Sequence, residues 1–434
     1  MHLNAPSFVN IRIGQSVSTE NKFIVRSLIQ SLNILENAFL YLFLLLVPVY
    51  RWLPIYSNIV AADLAFAALV VMLAVRFFLT GDSIKLKPRH VIAICLVLVW
   101  YLLALIFSSS PLNGIDNILQ YSYLVLIFLF FKNRGVRESD IHILFIGACV
   151  FTFYCLGELI LTPIIEGGRY VFGGRFLREA THPQIIVSAL CPISIVLWGY
   201  TKKLSYALCS LILYLLLIFS FSRGGLIAIH LVLLFMLFNQ RTRKIGLVVW
   251  CFIFIVIFLL RSIIGPENFV HFFLRLGSIF AIGDDKTFDG LVISAEHGAD
   301  RFALIKTVFF HSLDWRMIWG HGLDSFVSDV AGFGGLWVGG DEFAKMSTHN
   351  LLTMLLYEQG IVGCLIVFFF LTSLIIRLLG ATPGLPLKYA FIFSIIALAI
   401  NSNTDPGVLV ERITWVILGM AAGYKDCVFQ PVDA

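Results

Sequence analysis

Charge is what this chain has least of. Only 13% of its 434 residues are Asp, Glu, Lys or Arg, about half the share a soluble globular domain carries. That excludes an ordinary water-facing globule. The net charge of +5 is no nucleic-acid signature, because the positives stand in short connections between apolar runs; no nucleic-acid partner is expected. Cysteine is present without a pattern. Of Cys95, Cys149, Cys155, Cys191, Cys209, Cys251, Cys364 and Cys427, seven lie in apolar runs and the last in the C-terminal tail. There is no Cys-x-x-Cys pair and no metal-ligand spacing, so these read as small buried residues. Gly-x-Ser-x-Gly and a serine–histidine–aspartate order are both missing. Asp284, Asp285 and Asp289 allow a divalent-cation reading, but not at EF-hand spacing. No metal and no cofactor is expected. The short alternating segments of a membrane β-barrel are absent as well.

What the chain does have is apolar length. It is 59% hydrophobic with a mean hydropathy of +0.92. Its apolar runs recur from end to end, and many reach the length that crosses a hydrocarbon core of about 30 Å. The fold class is all-α: a polytopic membrane protein of about twelve transmembrane helices with one large external loop containing short helices. The spans fall near 32–49, 56–79, 91–108, 115–131, 141–161, 185–200, 205–221, 226–238, 245–264, 351–379, 388–399 and 409–424. Residues 1–30 form a polar tail, 31–264 carry spans one to nine, 265–349 the large loop, 350–425 the last three spans, and 426–434 a second tail. The first apolar run, from Leu32, is too long for the core of a signal peptide, so no cleaved leader is expected.

Basic residues mark alternate connections: Lys85, Lys87 and Arg89; Lys132, Arg134 and Arg137; Lys202 and Lys203; Arg241, Arg243 and Lys244. The positive-inside rule then puts both termini in the cytoplasm and the 265–349 loop on the outer, periplasmic face. Three arginines break the pattern. Arg169, Arg175 and Arg178 sit in the outward 162–184 loop, which closes on Thr181-His182-Pro183-Gln184. They suggest use, with pairing to Glu166, Glu179 or headgroups as the plainer reading. Arg223 stands between two apolar runs with only Ser222, Gly224 and Gly225 around it. A charge at that depth faces a polar cavity or a partner, or snorkels to a headgroup. Its planar fork suits phosphate oxygens. The acids Glu36, Asp63, Glu158 and Glu358 also lie inside apolar runs, as proton-relay groups or as polar packing contacts.

The large loop holds six Lys/Arg against eleven Asp/Glu. Bulk charge there repels a phosphate, so binding falls to particular arginines, Arg301 first. Phe269, Phe272, Phe273 and Leu276 fall at helical spacing, as on a surface helix. Asp300 suits a helix start ahead of Phe302, Ile305, Val308 and Phe309. Trp319 to Phe326 reads as a tight turn. Gly332, Gly334, Gly335, Gly339 and Gly340 make a mobile stretch before Ser347-Thr348-His349-Asn350, as a lid needs. His349 ends the loop just ahead of a new span. It is the best candidate for a catalytic group, against the plainer reading of a solvated polar residue at a helix start.

Four patches taken in order resemble one family. They are Gly174-Arg175-Phe176 with His182-Pro183-Gln184; Phe221-Ser222-Arg223-Gly224-Gly225; Arg301 leading to Trp319-Gly320-His321-Gly322-Leu323-Asp324-Ser325-Phe326; and His349-Asn350 leading to Tyr357-Glu358-Gln359-Gly360-Ile361-Val362-Gly363. With the span count and the late loop, the chain resembles the O-antigen ligase and polysaccharide polymerase family of bacterial inner-membrane glycosyltransferases. The resemblance implies a metal-independent, lipid-carrier-dependent enzyme whose donor is an oligosaccharide on undecaprenyl pyrophosphate. Arg223 and Arg301 would hold the pyrophosphate and His349 would act on the acceptor hydroxyl. Arg175, Arg178 and His182 are the further substrate-binding candidates. The implied function is polymerisation of lipid-linked repeats into a surface polysaccharide. Ligation to a lipopolysaccharide core and transport of lipid-linked sugars are the alternatives. The partners are the lipid-linked oligosaccharide and the bilayer, with chain-length regulator and export proteins as further candidates.

Overall fold

A computed structural model describes residues 19–52, 54–56, 59–80, 88–108, 111–161, 164–166, 169–171, 183–219, 222–264, 286–288, 291–293, 306, 308–329, 350–381, 386–403 and 406–424. The architecture is helical. Six helices are long and apolar enough to cross a membrane, and five shorter apolar helices accompany them among the described residues. A helix stands at each of the twelve expected positions. They are α1 (Thr19–Leu46), α2 (Ala61–Thr80), α3 (Pro88–Ile106), α4 (Pro111–Arg134), α5 (Glu138–Leu161), α6 (Pro183–Thr201), α7 (Leu204–Phe219), α8 (Arg223–Phe238), α9 (Arg243–Ile264), α10 (Leu351–Leu379), α11 (Pro386–Asn401) and α12 (Arg412–Gly423). Three minimal hairpins lie in connections, the third (Lys286–Phe288 with Leu291–Ile293) inside the large loop, where only helical pieces were expected.

The chain divides into two units, residues 1–91 and 92–434. In the first, α1 packs on α2. Two of the intramembrane acids are answered locally. The Arg76 guanidinium donates to Glu36 at 2.8 Å, and Asp63 accepts the Val60 N–H at 3.1 Å in the first turn of α2. Phe43 meets Phe66 at 5.0 Å between ring centres. Here the polar-packing reading of those acids has a direct geometric basis.

In the second unit α6 and α11 form the centre. Of the apolar stretch of α6, 72% is enclosed by protein, against 17% for α10. Such enclosure explains why α6 is apolar all round. The Ser394 hydroxyl of α11 donates to the Ala189 carbonyl of α6 at 2.6 Å, fixing their antiparallel register. Helix α8 packs on both, and α12 lies along α4. Large apolar side chains such as Phe238 and Phe254 remain exposed, as a lipid-facing surface requires.

The turns of this unit sort into two ends. At one end Lys203, between α6 and α7, donates to Glu138 at the start of α5 at 2.8 Å. The Arg241 guanidinium, between α8 and α9, lies 5.9 Å from the Tyr389 ring of α11. Gly423 of α12 approaches the Phe131 carbonyl near the end of α4. At the opposite end Gln184 meets Gly225 and Ser108 meets Leu323. Successive helices therefore run up and down, and the basic connections of the second unit gather at one end.

Candidate functional site

Helix length builds the site. At about 1.5 Å per residue, α4 and α5, with 24 residues each, are about 36 Å long. Helices α7, α8 and α11 have 16 residues and α12 only 12, or about 24 and 18 Å. All start or finish at the basic end, and their described lengths fall about 12 Å or more short of those of α4 and α5. We read the level at which these short helices end as the floor of a recess.

Polar residues line that floor. Ser222 caps α8, its hydroxyl accepting the Gly225 N–H at 3.3 Å. A side chain at Gly225 would stand 2.7 Å from the Gln184 Cβ, so the Ser222–Gly225 turn lies flush against the start of α6. Two patches of sequence about forty residues apart, Pro183-Gln184 and Ser222-Arg223-Gly224-Gly225, thus become one surface. From the Ser394–Ala189 bond, seven residues along α11 lead to Asn401 and five back along α6 lead to Gln184, levels that agree within about 3 Å. Asn401 is fully buried there.

The loop that ends in His349 arrives at the same level. Asn350 caps α10, its Oδ1 accepting the Thr353 N–H at 3.0 Å, while its amide donates to the Asn403 carbonyl at 3.4 Å. The Leu351 N–H donates to the Ser402 carbonyl at 2.9 Å. Helix α10 is not straight. Gly360 has φ 66 and ψ −170, so the nine residues ahead of it form a separate segment whose amino end reaches the recess. The amino ends of α6, α8, α10 and α12 all lie toward this side, each carrying the partial positive charge of a helix start.

Two charged residues of this region are not among the sequence candidates. Glu411 and Arg412 open α12 and are 2% and 8% exposed. The Arg412 guanidinium lies 5.8 Å from the Tyr123 ring, at the midpoint of α4. The signal was present as two adjacent charges inside the apolar run 409–424. Thr414, at 2% exposure, adds a hydroxyl to the same helix start.

Further out sits a second polar assembly, made by Trp319–Phe326 and the kink of α10. The His321 and Gly322 N–H groups donate to the Tyr357 and Glu358 carbonyls at 2.7 and 2.9 Å. Gly320 and Gly322 have φ +83 and +103, and a Cβ on either would come within 2.4 Å of the backbone of Glu358 or Ser108. The Asp324 and Phe326 N–H groups donate to the Glu358 carboxylate, and the Ser108 hydroxyl donates to the Leu323 carbonyl at 2.7 Å. The His321 ring stacks on Tyr357 at 4.3 Å, and the Tyr357 hydroxyl donates to Asp329 at 2.9 Å. Burial holds the His321 imidazole below the usual histidine range, with Asp314 acting against it. The expected tight turn at 319–326 is therefore present, and Glu358 serves it as a polar packing contact.

Of the six residues singled out from sequence, the backbone of Arg223 is described, as the first residue of α8. Arg175, Arg178, His182, Arg301 and His349 lie outside the described residues, although Pro183 and Asn350, the neighbours of His182 and His349, fix where those segments meet the helices. The helical pieces expected at Pro266–Gly277 and from Asp300, the glycine stretch 332–340 and the aspartates 284, 285 and 289 also lie outside. Helical backbone resumes at 308–311, with Val308 buried and Phe309 exposed. No protein-family model, curated protein or solved structure matches the chain.

Proposed function

We propose that the chain is a lipid-carrier-dependent glycosyltransferase of the polysaccharide polymerase type, with its site in the recess. On this reading about twelve helices cross a bacterial inner membrane, both termini are cytoplasmic and the recess opens outward. One observation carries the proposal: short helices end together below the level of their neighbours. They bring the Ser222–Gly225 turn, the Asn350 cap and the buried Arg412 to one polar floor within an apolar bundle.

That floor suits a pyrophosphate on a lipid. The apolar surroundings accept the polyprenyl chain, while convergent helix amino ends favour an anion. Arg223 supplies a bidentate donor at the start of α8, and Arg301 is its partner from the loop. As the pyrophosphate leaves the anomeric carbon, its growing charge is held by donors fixed before the reaction, in a medium where each contact is strengthened. His349, one residue before the α10 cap, takes the proton of the acceptor hydroxyl as the glycosidic bond forms. Arg175, Arg178 and His182 hold the saccharide near the start of α6. The acceptor is a second lipid-linked repeat. Ligation to a lipopolysaccharide core uses the same chemistry, and product analysis with and without that core separates the two.

The test is a set of single variants, Arg223→Ala, Arg301→Ala and His349→Ala, in cells that make the polymer. Each is expected to lower product at least a hundredfold while the protein stays in the membrane at normal level, in line with the loss of a transition-state donor or a general base. Normal chain elongation in all three would sink the assignment.

A further inference from the structure

At the basic end of the second unit the cations fall into two groups. One is neutralised: Lys203 pairs with Glu138 at 2.8 Å, and Arg134 pairs with Asp140. The other has no acid partner among the described residues. Arg241 and Lys388 approach one ring, Tyr389, at 5.9 and 5.3 Å from its centre. Lys202 lies 5.8 Å from the Trp198 ring on the neighbouring end of α6. Among the described residues no carboxylate lies within ion-pair distance of Arg241, Lys388 or Lys202.

Lys388 is the informative one. The residue is 4% exposed, and its ammonium donates to one carbonyl, that of Ala381 just beyond α10, at 2.9 Å. An ammonium has three donors. A cation drawn this far out of water is costly unless an anion answers it. Arg241 stands exposed beside it on the α8–α9 turn, held near the ring but not capped by an acid. Aromatic rings with cations at the ends of apolar helices are the furniture of a membrane interface, where the available anion is a phosphodiester. Two cations beside one phenol ring can meet a phosphate together.

We propose that Arg241, Lys388 and Tyr389 form a binding site for the phosphate of an anionic phospholipid, distinct from the recess at the opposite end of the bundle. The lipid bridges the α8–α9 turn to the start of α11 and so clamps the central helix whose other end carries Asn401. The neutralised pair at Lys203 does not take part.

The full chain, purified in a neutral detergent, is titrated with phosphatidylglycerol, with phosphatidylcholine and with inorganic phosphate. Bound lipid is counted by native mass spectrometry and thermal stability is followed in parallel. The wild type is expected to retain phosphatidylglycerol in preference to phosphatidylcholine and to gain stability from it. Arg241→Gln is expected to weaken that binding about fivefold, Arg241→Lys to restore most of it, and Lys203→Gln to leave it unchanged. Equal melting of the Arg241 variants without lipid shows that the fold is intact. Three outcomes overturn the site: equal retention of phosphatidylcholine, unchanged phosphatidylglycerol binding in Arg241→Gln, or full protection by inorganic phosphate with no added effect of lipid.

Discussion

The knot at Trp319–Phe326 and the floor of the recess are both polar, both bounded by α10, and held in opposite ways. The knot is fixed by backbone. Its N–H groups bond the carbonyls and carboxylate ahead of the Gly360 kink, and two glycines occupy space where no Cβ fits. The floor is fixed by helix ends. Its contacts are caps and a side-chain amide, and its buried charges stand at a helix start. A backbone lock tolerates no change and offers no spare donors, so it serves architecture. Convergent helix amino ends favour an anion, so on the proposed reading they serve chemistry. His321 belongs to the first class, and the proposed mechanism asks the second of His349.

The comparison breaks most visibly at Gly322. Replacement by Ala puts a Cβ within 2.2 Å of the Ser108 backbone at a left-handed position. Left-handed backbone and overpacking together cost roughly 3 kcal/mol. Membrane yield and thermal stability should both fall sharply; a variant as stable as the wild type would remove the knot's architectural role.

A smaller effect is expected at the floor. Ser222→Ala removes the α8 cap, worth about 1 kcal/mol, so the protein should remain in the membrane. Because Arg223 is the next residue, product formation should drop well beyond that loss of stability. A fall in stability with normal activity would assign Ser222 to architecture as well. Asn350→Ala, which removes a cap and an amide bond to Asn403, should behave in the same way, again for about 1 kcal/mol.

The smallest effect concerns pH. Burial lowers the His321 pKa below the value of 6.5 typical of an unfolded chain. The unfolded state then binds the proton more tightly, so stability is full above about 6.5 and declines as pH falls toward the folded pKa. Melting curves across this range should show a modest acid loss that His321→Gln removes. An acid gain in stability would contradict the sign.

Much of this was legible in residues. Among the described residues a helix stands at each position the apolar runs marked, and six are long and apolar enough to cross a membrane, because run length is a strong signal. The tight turn at 319–326 was legible from its glycines. The recess was not, since it depends on comparing helix lengths across contacts that no single segment records. Glu411 and Arg412 were hidden in an apolar run, where two charges barely lower the average. The kink at Gly360 escaped as well, because the apolar pattern continues through it and only the docking of residues 318–322 makes it necessary.

The central claim is that the recess joins lipid-linked sugars. Purified protein in liposomes, supplied with the lipid-linked repeat on one side only, tests it most directly by mass analysis of the glycans. The account predicts longer chains on the carrier with release of polyprenyl pyrophosphate, abolished by Arg223→Ala and by His349→Ala. Movement of the lipid across the bilayer with no new glycosidic bond would contradict it.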